Sequence, residues 1–318
     1  MPILILNEEE VRQLLTMDMA LEAVEAGFRK LALDEAQNVP RARCQTDHSM
    51  LHVMSGAAKT LGIMGYKAYT TAKAGAQFHV GLFDGKTGAL TAILQADYLG
   101  QVRTGAASGV ATKYLARPEA AEVGLYGAGK QARQQLVAVC KVRKIKRVQV
   151  YSRNEENRKQ FCTELTGLCG VPVEPVAKPE EAARGKDIVI TAMSSRDPVL
   201  KGEWLAEGMH LNVIGSNFIS KAEVDAEAIR RCRPIVVDSK DQAHLEAGDF
   251  HQAIESGAIH WSGVAELGPV IVGRASGRKS PQEISLFKSL GIAMEDITTA
   301  ARVVAKAKEA GVGRYVEW

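Results

Sequence analysis

Apolar residues in the stretch "NEEEVRQLLTMDMALEAVEAGFRKLALDEA" fall at Val11, Leu14, Leu15, Ala20, Val24 and Phe28, a helical spacing. The spacing breaks near Met17 and Asp18, so two helices are predicted to open the chain. From about residue 50 to 97 the texture changes to strand-like pieces, "MLHVMSGAA", "LGIMGYKAYTT" and "FHVGLFDGKTGALTAILQA". Within the last, Asp84 and Gly85 lie between two apolar runs and predict a hairpin. This first region reads as α+β.

After Arg117 and Pro118 the order becomes strand, glycine turn, helix, strand. "AAEVGLYGAGKQARQQLVAVCKV" begins it; "KRVQVYSRN", "KDIVITAMSS", "GMHLNVIGSN" and "RPIVVDSKDQA" supply four further strands. Helix-like "ENRKQFCTELTGLCG" and "KPEEAARG" lie between them, and the sequence after Asn217 also looks helical. Short apolar strands buried on both faces and alternating with helices predict a parallel, doubly wound α/β sheet of the Rossmann type. A last helix-like segment, "SLFKSLGIAMEDITTAARVVAKAKEAG", is long enough to return to the first region.

Composition narrows the classes without choosing one. With 318 residues, 46% of them hydrophobic and 24% charged, the chain can bury the cores of two domains. A formal charge of +3 from 40 basic and 37 acidic side chains gives no single-sign field, and the basic cluster "KVRKIKR" reads as a solvated helix end rather than a nucleic-acid site. No run of about 18 apolar residues suggests a membrane span, and "MPILILNEEE" has no basic leader, so a cytoplasmic protein is expected. Five cysteines, Cys44, Cys140, Cys162, Cys169 and Cys232, have no metal-binding spacing, so reduced thiols and no metal are expected.

The segment "VGLYGAGKQA" sets Gly127, Gly129 and Ala132 as G-x-G-x-x-A between a strand and a helix. The first glycine permits the tight turn, the second lets a pyrophosphate approach, and the small third residue lets helix and strand pack. Gly127, Ala128, Gly129, Lys130 and Gln131 are therefore candidate cofactor-binding residues at a helix start that favours an anion. The next strand ends in Ser152, Arg153 and Asn154, with no acid before Glu155. NAD sites usually carry an acid there, whereas a guanidinium and small polar groups suit a 2′-phosphate; NADP(H) is preferred and NAD(H) possible. Arg153 could also stack on adenine or stay solvated.

Three cations in the first region stand out: Arg41 in "NVPRARC", Lys67 in "MGYKAYT" and Arg103 in "GQVRTGAASG". Burial of Lys67 within its apolar strand would depress its pKa and make it a proton donor or carboxylate ligand; otherwise it snorkels from a sheet edge. Arg103 and Thr104 are expected to begin a small-residue helix. Asn217, at the end of an apolar strand, is either a turn residue or faces a ligand.

Taken in order, "VPR", "GYKAYT", "LFDGKTGALTAIL", "VRTGAASGVATKYLARP", "GLYGAGKQARQQL", "VYSRN", "DIVITAMSS", "GSNFISKAEVD", "AELG" and "FKSLGIAMEDI" resemble the ornithine cyclodeaminase/μ-crystallin family over nearly the whole chain. The resemblance implies a homodimer, with residues 1–117 plus about 296–318 as substrate-binding and dimerisation domain and 118–295 as dinucleotide-binding domain. It implies that Arg41, Lys67 and Arg103 hold the carboxylate of an imino, amino or keto acid, with Arg103 and Thr104 also near the cofactor phosphates. Thr191, Ala192, Met193, Ile214, Gly215 and Ser289 would line the nicotinamide side, and Asn217 would face the substrate.

Family members that cyclise ornithine carry an acid at the position of Asn217, where it takes a proton from the substrate amine. Asparagine cannot serve as that base, though it can orient an imine, amine or water. The chain is therefore expected to be an NAD(P)H-dependent reductase of a carboxylate-bearing imine, with Lys67 and Asn217 as catalytic candidates. Suitable substrates are a cyclic ketimine such as Δ1-pyrroline-2-carboxylate or Δ1-piperideine-2-carboxylate, or an imine of a 2-oxo acid and an amine. Ornithine cyclodeaminase and a non-catalytic crystallin-like binding protein are the alternatives.

Overall fold

In the computed structural model, which describes residues 2–317, a strand absent from the sequence reading, β1 (Ile3–Leu6), precedes the two expected helices. Asn7 caps α1 (Glu8–Leu14) by accepting the Glu10 N–H while the Glu10 carboxylate takes the Asn7 N–H. Thr16 caps α2 (Met17–Ala32) through the Met19 N–H. Such bonds satisfy donors that a helix start leaves open, which explains the break near Met17.

An antiparallel meander follows: β2 (Ala36–Gln45), β3 (Ser49–Ala58), β4 (Ile63–Ala72), β5 (Gly75–Asp84) and β6 (Leu90–Gln95). The predicted hairpin joins β5 to β6, its turn held by the Asp84 carboxylate, which accepts from the Lys86 and Thr87 N–H groups. Strand alternation divides β4 sharply: Gly65, Lys67 and Tyr69 are buried, while Met64, Tyr66 and Ala68 lie on the other face. That other face carries Val39, Leu51, Val53 and Met64, each at least 37% exposed. Next comes α3 (Asp97–Leu115), which starts six residues before the expected Arg103. Its first N–H groups, those of Asp97 and Tyr98, donate to Glu8, a cap too distant in sequence to be read locally.

The doubly wound region contains β7 (Glu122–Tyr126), α4 (Lys130–Val142), β8 (Arg147–Tyr151), α5 (Glu155–Cys169), β9 (Val173–Pro175), β10 (Ile188–Thr191) and β11 (His210–Val213). It continues with α6 (Ala226–Arg231), β12 (Ile235–Val237), α7 (Lys240–Glu246), α8 (Gly248–Glu255), β13 (Val264–Glu266), α9 (Leu267–Ile271) and β14 (Ser285–Lys288). All eight strands pair in parallel, in the order β13-β12-β14-β11-β10-β7-β8-β9. The five expected strands are present, and the connections change direction beside β7.

Three local expectations are corrected. "SLFK", read as the start of the last helix, is the fully buried strand β14, whose backbone pairs with β11 on one side and β12 on the other. Tertiary pairing outweighs helical propensity there. "KPEEAARG" makes only a single 3-10 turn at Pro179–Ala182, packed so closely on β7 that a Cβ on Gly124 would sit 1.7 Å from the Ala182 carbonyl oxygen. The sequence after Asn217 turns irregularly until Asp225 caps α6.

The chain then forms α10 (Ala293–Ala310) and β15 (Arg314–Val316). β15 pairs with β1 and completes a seven-stranded sheet of order β15-β1-β6-β5-β4-β3-β2. α10 lies on the Lys67 face of that sheet, where Cβ atoms on Gly56 and Gly65 would come within 3.3 and 3.1 Å of the Ile297 side chain. Chain contacts gather into two compact units, one running through Thr104 and resuming at Gly291, the other Gly105–Leu290. Among the described residues no helix is long and apolar enough to cross a membrane.

Candidate active site

The three cations singled out in sequence come together in the first unit. Lys67 points inward from β4, and its ammonium is 2.8 Å from Asp296 Oδ1. Arg103, in the second turn of α3, donates through Nε to the same oxygen at 3.0 Å and through Nη1 to Glu295. Arg41, from β2, donates to the Gly291 carbonyl oxygen at 3.0 Å. All three cations and both acids are buried. Thr104 turns its hydroxyl to the Gly100 carbonyl oxygen instead, at 2.7 Å.

Burial sets the chemistry of this cluster. It pushes Lys67 down from its ordinary value to about 8, helped by the Arg103 charge and opposed by Asp296. An apolar wall adjoins the ammonium: Met54 and Val80 face Lys67 across the neighbouring strands, and the Tyr69 and Phe78 rings lie 5.8 and 5.6 Å from it. His52 stacks on Tyr69 at 4.2 Å, and burial together with Arg43 and Arg41 holds its pKa down at about 4, so it stays neutral. His79 is exposed on the opposite face.

In the second unit the glycine motif folds as its spacing requires. Gly127 follows β7 directly with φ +113°, where a Cβ would also meet the Ala192 carbonyl oxygen at 2.5 Å. Gly129 is the N-cap of α4, without a side-chain cap and with no acid in the first turn, and a Cβ there would meet nothing within 4 Å. Gln131 Oε1 is buried with no hydrogen-bond partner among the described residues. Buried Ala132 lets α4 pack closely. These features fit a dinucleotide pyrophosphate: open backbone donors, a positive helix end and room for the phosphates.

Past β8, Arg153 is exposed and has no partner among the described residues. Asn154 is used as the N-cap of α5, accepting the Asn157 N–H at 2.8 Å, and Ser152 donates to the Asn154 carbonyl oxygen at 3.2 Å. The first acid, Glu155, pairs with Lys159 at 2.6 Å on the helix surface. Arg153 is thus the free polar group at this strand end.

The loops after β10 and β11 are tied together by an acid the sequence reading missed. Buried Glu223 accepts from Thr191 Oγ1 at 2.8 Å and from the Met193 and Gly215 N–H groups, both at 2.6 Å. Burial and the nearby Asp249 charge raise its pKa, while these donors and Lys288 oppose the rise. Asp249 in turn accepts the Glu223 N–H and pairs with Lys288 at 2.8 Å; Lys288 also donates to the Ser216 carbonyl oxygen at 2.8 Å. Ser289 donates to Asp238. Thr191, Gly215 and Ser289 therefore spend donors on buried acids. Asn217 lies half-buried just beyond this loop, and Ala192 and Met193 are also partly open, whereas Ile214 is buried. The sequence clue to the hub was acids in apolar surroundings, in "SKAEVD" and "EAGDF". A similar clue marked Glu295 and Asp296 within "GIAMEDI".

Eight parallel strands with a glycine turn and an uncapped helix at the switch point define a Rossmann-type dinucleotide-binding α/β protein, and the first unit adds a buried cluster of cations. The chain belongs to the ornithine cyclodeaminase/mu-crystallin family, whose profile matches residues 2–311. It is 36% identical to an alanine dehydrogenase of Archaeoglobus fulgidus over all of this chain and 99% of that one. It is 33% identical to a Delta(1)-pyrroline-2-carboxylate reductase of Bacillus cereus over 99% of this chain and 100% of that one. Among solved structures, the Thermococcus litoralis Delta(1)-pyrroline-2-carboxylate reductase in complex with NADH and L-proline superposes with TM-score 0.95 at 35% identity, covering 99% of this chain and 100% of that one. An archaeal alanine dehydrogenase dimer with bound NAD gives TM-score 0.94 at 35% identity, with both chains fully covered.

Proposed function

We propose that the chain is an NAD(P)H-dependent oxidoreductase that reduces an imine bearing a carboxylate, such as Δ1-pyrroline-2-carboxylate, Δ1-piperideine-2-carboxylate or the imine of a 2-oxo acid. The observation that carries this reading is the convergence of Arg41, Lys67 and Arg103 in one buried cluster of the first unit. Family membership and the pyrroline-2-carboxylate reductase and alanine dehydrogenase relatives support it.

Bound cofactor would supply the hydride, with Gly127 to Gln131 holding its pyrophosphate. The cations Arg41, Lys67 and Arg103 take the substrate carboxylate through charge-assisted bonds and so fix the position of the carbon beside it. Lys67, poised by burial near neutral pH, supplies a proton where the imine arrives unprotonated. Asn217 orients the substrate nitrogen or a water with its amide and takes no proton. NADP(H) is preferred over NAD(H), because Arg153 is free to meet a 2′-phosphate and Glu155 is engaged with Lys159. The working form is a cytoplasmic homodimer whose second copy covers the exposed face of Val39, Leu51, Val53 and Met64.

The test is a panel of cyclic ketimines and of 2-oxo acid plus amine mixtures, each with NADPH or NADH, followed by the absorbance of reduced nicotinamide. Oxidation with a ketimine supports the reading. Proline and ammonia from ornithine without net cofactor change would make the chain a cyclodeaminase, and cofactor binding without turnover would make it a binding protein.

A further inference from the structure

Arg158 is out of place in its helix. The buried stripe of α5 runs Arg158, Phe161, Cys162 and Leu165 at helical spacing, so a guanidinium stands where the pattern calls for an apolar side chain. Arg158 is 8% exposed. Its Nη1 donates to the Ser152 carbonyl oxygen, its Nε is buried with no hydrogen-bond partner, and no carboxylate pairs with it among the described residues. Of the two acids in the first turn, Glu155 feels the Arg158 charge but bonds to Lys159, and Glu156 is exposed. Arg158 also lies near the start of α5, the positive end of the helix dipole, which disfavours a cation. A buried cation so placed is completed by an anion.

We propose that Arg158 makes the turn after β8 a seat for a 2′-phosphate, as a specificity-determining residue behind Arg153. The inference rests on the NADP(H) preference proposed above and adds a second guanidinium to it. In a doubly wound fold the adenosine ribose lies at this strand end. Arg158 braces the turn by holding the Ser152 carbonyl oxygen, while Ser152 Oγ donates to the Asn154 carbonyl oxygen and Asn154 caps α5. The Arg153 side chain is left exposed at the tip of that braced turn. Charge adds to this. A phosphate monoester carries about two negative charges near neutral pH, of which one solvated guanidinium answers only part; the buried charge of Arg158 answers more. A 2′-hydroxyl brings no charge and leaves Arg158 unmatched. Arg153 meets the phosphate, and Arg158 is a positioning residue that acts through Ser152 and through its field.

The experiment measures dissociation constants for NADPH and NADH by the fluorescence of the reduced nicotinamide, in the native chain and in Arg158→Met, Arg158→Lys and Arg153→Ala. NADPH should bind the native chain about 100-fold more tightly than NADH, Arg158→Met should lower that ratio about 10-fold at unchanged NADH affinity, and Arg158→Lys should hold it within about 3-fold. Arg153→Ala changes an exposed side chain and should keep a preference of about 10-fold, carried by Arg158. Should Arg158→Met fold poorly, Arg153→Ala decides: a residual preference upholds the proposal and its complete loss overturns it. A native preference for NADPH that survives intact in folded Arg158→Met overturns the role of Arg158 and leaves the NADP(H) reading standing. Equal native affinities for the two cofactors overturn both. Adenosine 2′,5′-bisphosphate and adenosine 5′-monophosphate give the same comparison without nicotinamide or turnover: the first should raise the thermal midpoint of the native chain more than the second, and equal effects would remove the 2′-phosphate seat.

Discussion

Lys67 shows how one residue's chemistry follows from its place in a strand. Period-two alternation turns Gly65, Lys67 and Tyr69 inward together, and burial does the rest. In the free protein Lys67 is charged below pH about 8 and loses its proton as pH rises through that value. Since kcat/KM reports free-enzyme groups, it is expected to fall above pH about 8, and Lys67→Arg should remove that limb by keeping the charge. Lys67→Ala should lose at least about 100-fold in kcat/KM with cofactor affinity retained; full activity would take Lys67 out of the mechanism. Asn217→Asp should leave imine reduction in place, because an orienting amide is not a base; its loss would mean that the amide does more. Lys67, Arg41 and Arg103 were legible as odd charges in apolar or small-residue sequence. Their partners Glu295 and Asp296 stood out only as acids in apolar sequence; the pairing itself, across more than 190 residues, leaves no local trace.

At the scale of elements, glycine turns and apolar runs were readable, and pairing partners were not. The motif at Gly127 and Gly129 announced β7 and α4, since the steric need for glycine is written in the residue itself. By contrast "SLFK" became β14 only through partner strands 75 and 51 residues before it. Glu223 belongs to the same class of hidden feature: from the loop after β11 it binds Thr191 and Met193 of the β10 end and Gly215 of its own loop, and only an acid in apolar sequence hinted at it. Glu223→Gln sets an amide N–H₂ against the Met193 or Gly215 N–H. A stability loss of about 1–3 kcal/mol in denaturant and cofactor binding weakened about 10-fold are expected. Unchanged cofactor affinity would show that these loops hold their shape without the acid.

For the whole molecule, the two-part organisation was visible where the sequence passes from a meander to alternating strands and helices. The structure draws the limits of its compact units inside α3 and after β14, at 104/105 and 290/291, because contacts rather than linkers define them. The apolar patch on β2, β3 and β4 was not visible in advance, since its residues alternate with buried ones. Val53→Glu is expected to convert a dimer to a monomer in light scattering without altering the far-ultraviolet spectrum; a persisting dimer would place the second copy elsewhere. The central claim concerns the reaction itself, and stoichiometry tests it most directly. Purified protein with NADPH and Δ1-pyrroline-2-carboxylate should consume one reduced nicotinamide for each proline formed. Proline formed from ornithine without cofactor consumption, or no proline from any route, would contradict it.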